Sequence, residues 1–172
     1  MSLYEFSIPT YQQILGGMLT VMDKTIAHAV AKKWDHAVVC NDRLHMDMFN
    51  FARQVQSFTD HAAGSSLRLA GQEANLPPRD ETTLEGLRER IVKAIASVNS
   101  VTAADVDAHA GKQITFPMGP RQVTMMGKEY MMHFALPNFY FHATTAYDIL
   151  RHRGVEIGKR DFLGVVPGMP KA

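Results

Sequence analysis

The strongest constraint in this chain is an apolar stripe along residues 44–69. Leu44, Met48, Phe51, Val55, Phe58, Ala62 and Leu69 recur at steps of three, four and seven. A helix turns once in about 3.6 residues, so this spacing puts them all on one face. A face of that kind is the seam of a helix bundle. The helix should run from about Asn41 or Asp42 to about Ala70, with Gly71 ending it and Leu76-Pro77-Pro78 linking onward. Its seam needs partner helices.

Three more segments supply them. The first begins near Ser7-Ile8-Pro9-Thr10, with Ser7 as N-cap and Pro9 in the first turn. Ile14, Met18, Val21, Met22, Thr25 and Ala29 form its core face. Gly16-Gly17 weakens that helix intrinsically, and the pair suggests close approach by a neighbouring element. The third segment opens with Thr82 and Glu85, spaced as a capping box, and ends near Asn99-Ser100. Leu84, Leu87, Ile91, Ile95 and Val98 are its apolar face. The fourth runs from Lys128 to Arg153. Pro137 lies inside it and predicts a short helix to about Ala135, then a kink or restart. Gly154 stands at C′, with His152 and Arg153 favouring the helix dipole.

Residues 101–127 break the helical pattern. Ile114-Thr115-Phe116 and Gln122-Val123-Thr124-Met125 flank Pro117-Met118-Gly119-Pro120, which reads as a small hairpin or an extended excursion. It either covers a site or is a surface loop. The tail, 155–172, should wrap over the bundle or fray. The fold class is therefore all-α: one four-helix-bundle domain over 1–172, with a β excursion between the third and fourth helices.

Composition removes several function classes. The apolar fraction of 46 % argues against disorder. Eighteen Lys and Arg against seventeen Asp and Glu leave a net charge of +1, too little to draw nucleic acid or an anionic membrane. No apolar run approaches a membrane span, and no leader precedes the first helix, so a cytoplasmic protein is expected. The single cysteine, Cys40, excludes an intramolecular disulfide and any multi-cysteine metal site. It reads as a small half-buried hydrophobe.

Most enzyme signatures are absent. There is no CxxC, GxGxxG, Walker A loop or HExxH, and no Glu-x-x-His pair of the di-iron kind. The eight histidines contain no pair at spacing three or four. What remains is a second stripe beside the seam, Asp47, Gln54, His61 and Arg68, with a period of seven. These residues face either solvent or an interhelical cleft. On the last helix, Asn138 and His142 are four apart and share a face. Glu129 and His133, also four apart, are either a ligand pair or a surface pair. Phe139, Tyr140 and Phe141 are consecutive, so they point about 100° apart and cannot all fill one seam. At least one must meet a subunit, a ligand or the tail.

The run Leu136-Pro137-Asn138-Phe139-Tyr140-Phe141-His142-Ala143-Thr144-Thr145-Ala146-Tyr147-Asp148-Ile149-Leu150-Arg151, then Gly154 to Gly164, carries a resemblance. Asp47-Met48-Phe49, Gln54-Val55-Gln56 and Arg68-Leu69-Ala70-Gly71 share it. The chain resembles a bacterial family known as domain of unknown function number 1993. That family is grouped with the DinB/YfiT-like four-helix bundles, many classed as metalloenzymes and some as thiol transferases. The resemblance implies a metal site of three histidines, one on the second helix and an HxxxH pair on the fourth. Aligned at Leu150-Arg151 and Gly154, His142 takes the second place of that pair and Asn138 the first. Asn138 is a departure, because an amide oxygen is a poor ligand for zinc or nickel. His61 is the candidate on the second helix.

Two readings follow. In one, the chain is a small-ligand-binding or structural homodimer with a degenerate metal site. Its pocket is formed by Asn138, His142, His61, Gln54, Asp47 and Tyr140. In the other, it is a metal-dependent transferase or hydrolase of the DinB/YfiT type. There His142 and His61 hold Zn or Ni, and Glu129, Asp47 or Asp60 supplies a carboxylate. Whether it is an enzyme is left open. Neither reading involves nucleic acid or a membrane.

Overall fold

A computed structural model describes residues 2–169. Helix α1 spans Leu3–Lys32, α2 His36–Asn41, α3 Phe51–Leu69, α4 Leu84–Asn99 and α5 Ala103–Asp107. Strands β1 (Gln113–Met118) and β2 (Arg121–Met126) follow, then α6 (Gly127–Tyr130), a π turn (Met131–Ala135), α7 (Leu136–His152) and α8 (Lys159–Leu163). The four long helices form a ring in which α3 packs on α4 and α7, and α1 on α4 and α7. Among the described residues no helix is long and apolar enough to cross a membrane.

The all-α bundle with its β excursion is as the periodicity predicts, but three helix starts differ. Helix α1 begins four residues before Ser7. Ser2 accepts the Glu5 N–H while the Glu5 carboxylate takes the Ser2 N–H, a reciprocal cap that outcompetes Ser7. Pro9 therefore sits inside the helix rather than in its first turn. Thr83, not Thr82, caps α4 by accepting the Gly86 N–H at 3.1 Å.

The third difference matters most. The second bundle helix does not start at Asn41 or Asp42. Helix α2 ends there, and residues 42–50 form an irregular connection before α3. Asp42, Asp47 and Asn50 lie in it, residue types whose side chains compete with the helical backbone. Asn50 then caps α3 by accepting the Arg53 N–H. Leu44 and Met48 fit the heptad by count but not in space, and Leu44 is exposed.

The core lies inside the ring. Phe139 is wholly buried, and its ring meets Tyr11 edge-on at 4.8 Å and Phe58 at 6.3 Å. Tyr11 keeps its hydroxyl paired by accepting from Ser65 Oγ at 2.7 Å. The hairpin is regular, with Met118 opposite Arg121 and a two-residue Gly119-Pro120 loop. Gly119 has φ +60°, which the first position of such a loop requires. The tail is expected to wrap or fray; residues 170–172 lie outside the described residues, and the part before them packs back on the bundle. Val155 and Ile157 are buried, and α8 packs on α1. Gly17 is the reason it can, because a Cβ there would overlap the backbone oxygen of Phe162. Gly16 faces open space.

Pro137 produces neither a break nor a sharp restart. The chain stays helical through it because the preceding turn widens to a π turn. The N–H of Leu136 bonds to the carbonyl of Met131, five residues back. That extra residue pushes Phe134 toward α3.

Candidate functional site

Helix α3 brings Gln54, His61 and Arg68 to one side, where they meet the π turn and α7. Their period of seven keeps them in register along the groove. The imidazoles of His61 and His142 lie 5.8 Å apart between ring centres, with planes 13° from parallel. Phe134, delivered by the π turn, sits edge-on to His61 at 5.6 Å. Phe49, from the 42–50 connection, stacks on the other side of the pair at 6.1 Å from His142. Behind Phe134 the hairpin contributes Phe116 at 4.5 Å.

Gln54 fixes the protons. Its amide nitrogen donates to the Phe49 carbonyl at 3.2 Å, so its oxygen faces His142. His142 Nδ1 is 2.7 Å from that oxygen and must donate to it. The proton on Nδ1 leaves Nε2 as a bare acceptor. Among the described residues Nε2 has no hydrogen-bond partner, and neither ring nitrogen of His61 has one.

Both rings are neutral at pH 7. Burial lowers His61 to about 4, with His142, Arg79 and Arg68 adding positive neighbours. Burial also lowers His142 to about 4, helped by Arg79 and Arg53. A charged imidazole is disfavoured in a half-apolar niche already ringed by arginines.

The other predicted residues are placed differently. Asn138 shares the His142 face, but its amide nitrogen donates to the Phe134 carbonyl at 2.7 Å. Tyr140 is two residues from His142, about 200° around the helix, and its ring meets Phe139 instead. Asp47 is not on the α3 stripe. It lies in the 42–50 connection, exposed and bonded to His45 at 2.6 Å. Asp60 is bound by Arg79 and Arg90, each at 2.6 Å. Glu129 and His133 are exposed on α6 and the π turn.

Sequence reasoning missed Phe49, Phe134, Arg53 and Arg79 as neighbours of the pair. It also missed a buried ionic network that holds Arg79 in place. Arg90, 2 % exposed, donates to Asp60, to Glu81 at 2.6 Å, to Thr59 and to the Pro78 carbonyl. One signal was present: a charged residue beside Leu87 and Ile91 on the apolar face of α4.

Zinc and nickel sites built from protein donors usually take three or four of them. Two imidazoles are available here. Among the described residues no three His, Cys, Asp or Glu side chains cluster to hold an ion. Cys40 is buried, and its thiol is pushed up to about 11 by that burial, with Glu85 and Asp35 adding to it, so it stays protonated.

The sequence model of a family described as "Domain of unknown function (DUF1993)" matches residues 3–163. The crystal structure of a DinB family member protein from Shewanella denitrificans is similar, at 39 % identity and a TM-score of 0.86. The match covers 98 % of this chain and 96 % of that one. No curated protein matches the chain.

Proposed function

The chain belongs to the DUF1993 family, and from that premise we propose that it is a small-ligand-binding DinB-like bundle, working as a homodimer, whose metal site has degenerated. The observation that carries this reading is the Gln54–His142 hydrogen bond. It leaves a neutral imidazole with a bare Nε2 beside a second neutral imidazole, and no third ligand for an ion. Such a niche suits a ligand that donates a hydrogen bond, from a hydroxyl or N–H, beside the aromatic rings of Phe49 and Phe134.

The dimer belongs to the same reading. Phe141 is 57 % exposed and Tyr140 39 % exposed on the outer side of α7, as expected for an aromatic run that cannot fill one seam. Apolar side chains gathered on an outer helix face favour burial against a second surface.

The second reading, a metal-dependent transferase or hydrolase, has one observation in its favour. Metal-bound histidines commonly donate their other ring N–H to a carbonyl oxygen, as His142 does to Gln54. A single experiment separates the two. Untagged protein is incubated with excess Zn²⁺ or Ni²⁺, desalted and assayed for metal. The ligand-binding reading expects far less than one ion per chain, with no difference for His142→Ala. Near-stoichiometric metal that His142→Ala abolishes would establish the second reading instead.

A further inference from the structure

Beside the histidine pair, across Phe49, lies a cleft of about 660 Å³. Three arginines line it, Arg43, Arg53 and Arg79, against two acids, Asp47 and Glu81. The acids are already engaged. Glu81 takes Arg90 and Gln56, at 2.6 and 2.9 Å, and Asp47 points to solvent with His45. Arg79 is paired with Asp60. Among the described residues neither of the other two arginines has a carboxylate within ion-pair distance. Arg53 lies over the Phe49 ring at 5.4 Å and has no ion pair among the described residues. Among the described residues Arg43 bonds only to main-chain carbonyls, at 3.4 and 3.5 Å. The charge of Arg53 is disfavoured where it stands, by burial first and then by Arg79, with Asp60 offsetting part of this. An anion in the cleft would relieve that penalty. Guanidinium forks match the geometry of carboxylate and phosphate.

We propose that this cleft is an oxyanion subsite, with Arg53 as its principal ligand, Arg43 as a second and Arg79 as a positive wall. It rests on the ligand-binding reading of the histidine pair and deepens it. The small molecule carries a carboxylate or phosphate at one end, in the cleft. At the other end is a hydrogen-bond donor, at His142 Nε2. Phe49 is the shared wall, stacked on His142 and lying under Arg53.

Inorganic phosphate and acetate serve as separate probes, titrated into the full chain at constant ionic strength and followed by nuclear magnetic resonance. Saturable shifts are expected at the Arg53 side-chain N–H and at the backbone amides of residues 50–53. Saturation by phosphate alone would identify a phosphate ligand, and by acetate alone a carboxylate; either supports the subsite. Arg53→Met should weaken binding about tenfold or more, and Arg43→Gln by a smaller factor. Arg88→Gln, at an exposed arginine paired with Asp23, should change nothing. Should Arg53→Met fail to fold, Arg53→Lys keeps the charge without the fork and should still weaken binding. His142→Ala should bind phosphate about as well as the unaltered chain, so the two readings fail separately. Shifts that never saturate, that are equally large at Arg88, or that survive Arg53→Met unchanged would overturn the subsite.

Discussion

Asp60 and His61 are neighbours on α3, and they face two different interiors. Asp60 looks toward α4 and the 77–83 linker. There it is gripped by Arg79 and Arg90, while Arg90 also holds Glu81. Both oxygens of Asp60 are engaged. His61 looks toward α7, where two neutral rings keep bare nitrogens. A closed network of charges fixes geometry; an open pair of neutral acceptors is available for something to bind. The first face is built to hold the fold; the second is the one on which ligand binding is proposed.

The largest expected effect breaks the closed side. Arg90→Met removes the cation shared by buried Asp60, which keeps only Arg79, and half-buried Glu81, which keeps only Gln56. Loss of one partner from a buried pair costs about 3–5 kcal/mol. Chemical denaturation should show a loss of that size. A loss below about 1 kcal/mol would mean the network does not hold the linker.

Acid separates the two sides next. His61 and His142 titrate near 4 in the folded chain and near 6.5 when unfolded. The unfolded chain therefore binds more protons between these values, and stability falls as pH drops from about 6.5 to about 4. His61 contributes up to about 3 kcal/mol of that loss, and the more exposed His142 adds less. On the network side, burial works against the Glu81 carboxylate, but its hydrogen bonds from Arg90 and Gln56 win and hold it below the ordinary range. Its stabilisation is present above about 4.5 and is lost only at lower pH. Denaturation midpoints across pH 7 to 3 should thus show an upper step that His142→Ala reduces and Arg90→Met leaves in place.

The smallest effect sharpens the open side. Gln54→Ala removes the hydrogen bond to the half-buried ring and the one to the Phe49 carbonyl, and should cost about 1–2 kcal/mol in stability. Its larger consequence is chemical, since His142 loses the acceptor that fixes its proton on Nδ1. The ring should then populate both tautomers, visible in its nitrogen resonances.

Much of this frame was legible in the sequence, for physical reasons. Helical periodicity reports which face is buried, so the four long helices, the Gly17 contact and the hairpin follow from spacing and residue type. The widened turn at Pro137 was legible only as an interruption. The start of α3 was not legible, because Leu44 and Met48 fit the heptad and nothing local outweighs that count. The pairing of His61 with His142 came through a family resemblance and a stripe of period seven; Asp47 fits the same stripe but belongs to the irregular connection. Arg53, Arg79 and Phe49 were invisible as site residues. Their role depends on how a loop and a linker fold back onto α3, and that contact leaves no periodic trace.

We expect His61 and His142 to form a neutral pair with a bare Nε2 on His142, open to a hydrogen-bonding ligand rather than closed on a metal. Imidazole nitrogen-15 resonances at neutral pH, recorded before and after adding Zn²⁺, test it most directly. The expected result is an Nδ1-protonated His142, an unprotonated Nε2, and both signals unmoved by stoichiometric zinc. An Nε2 resonance that shifts fully at one equivalent of zinc, together with that of His61, would contradict it.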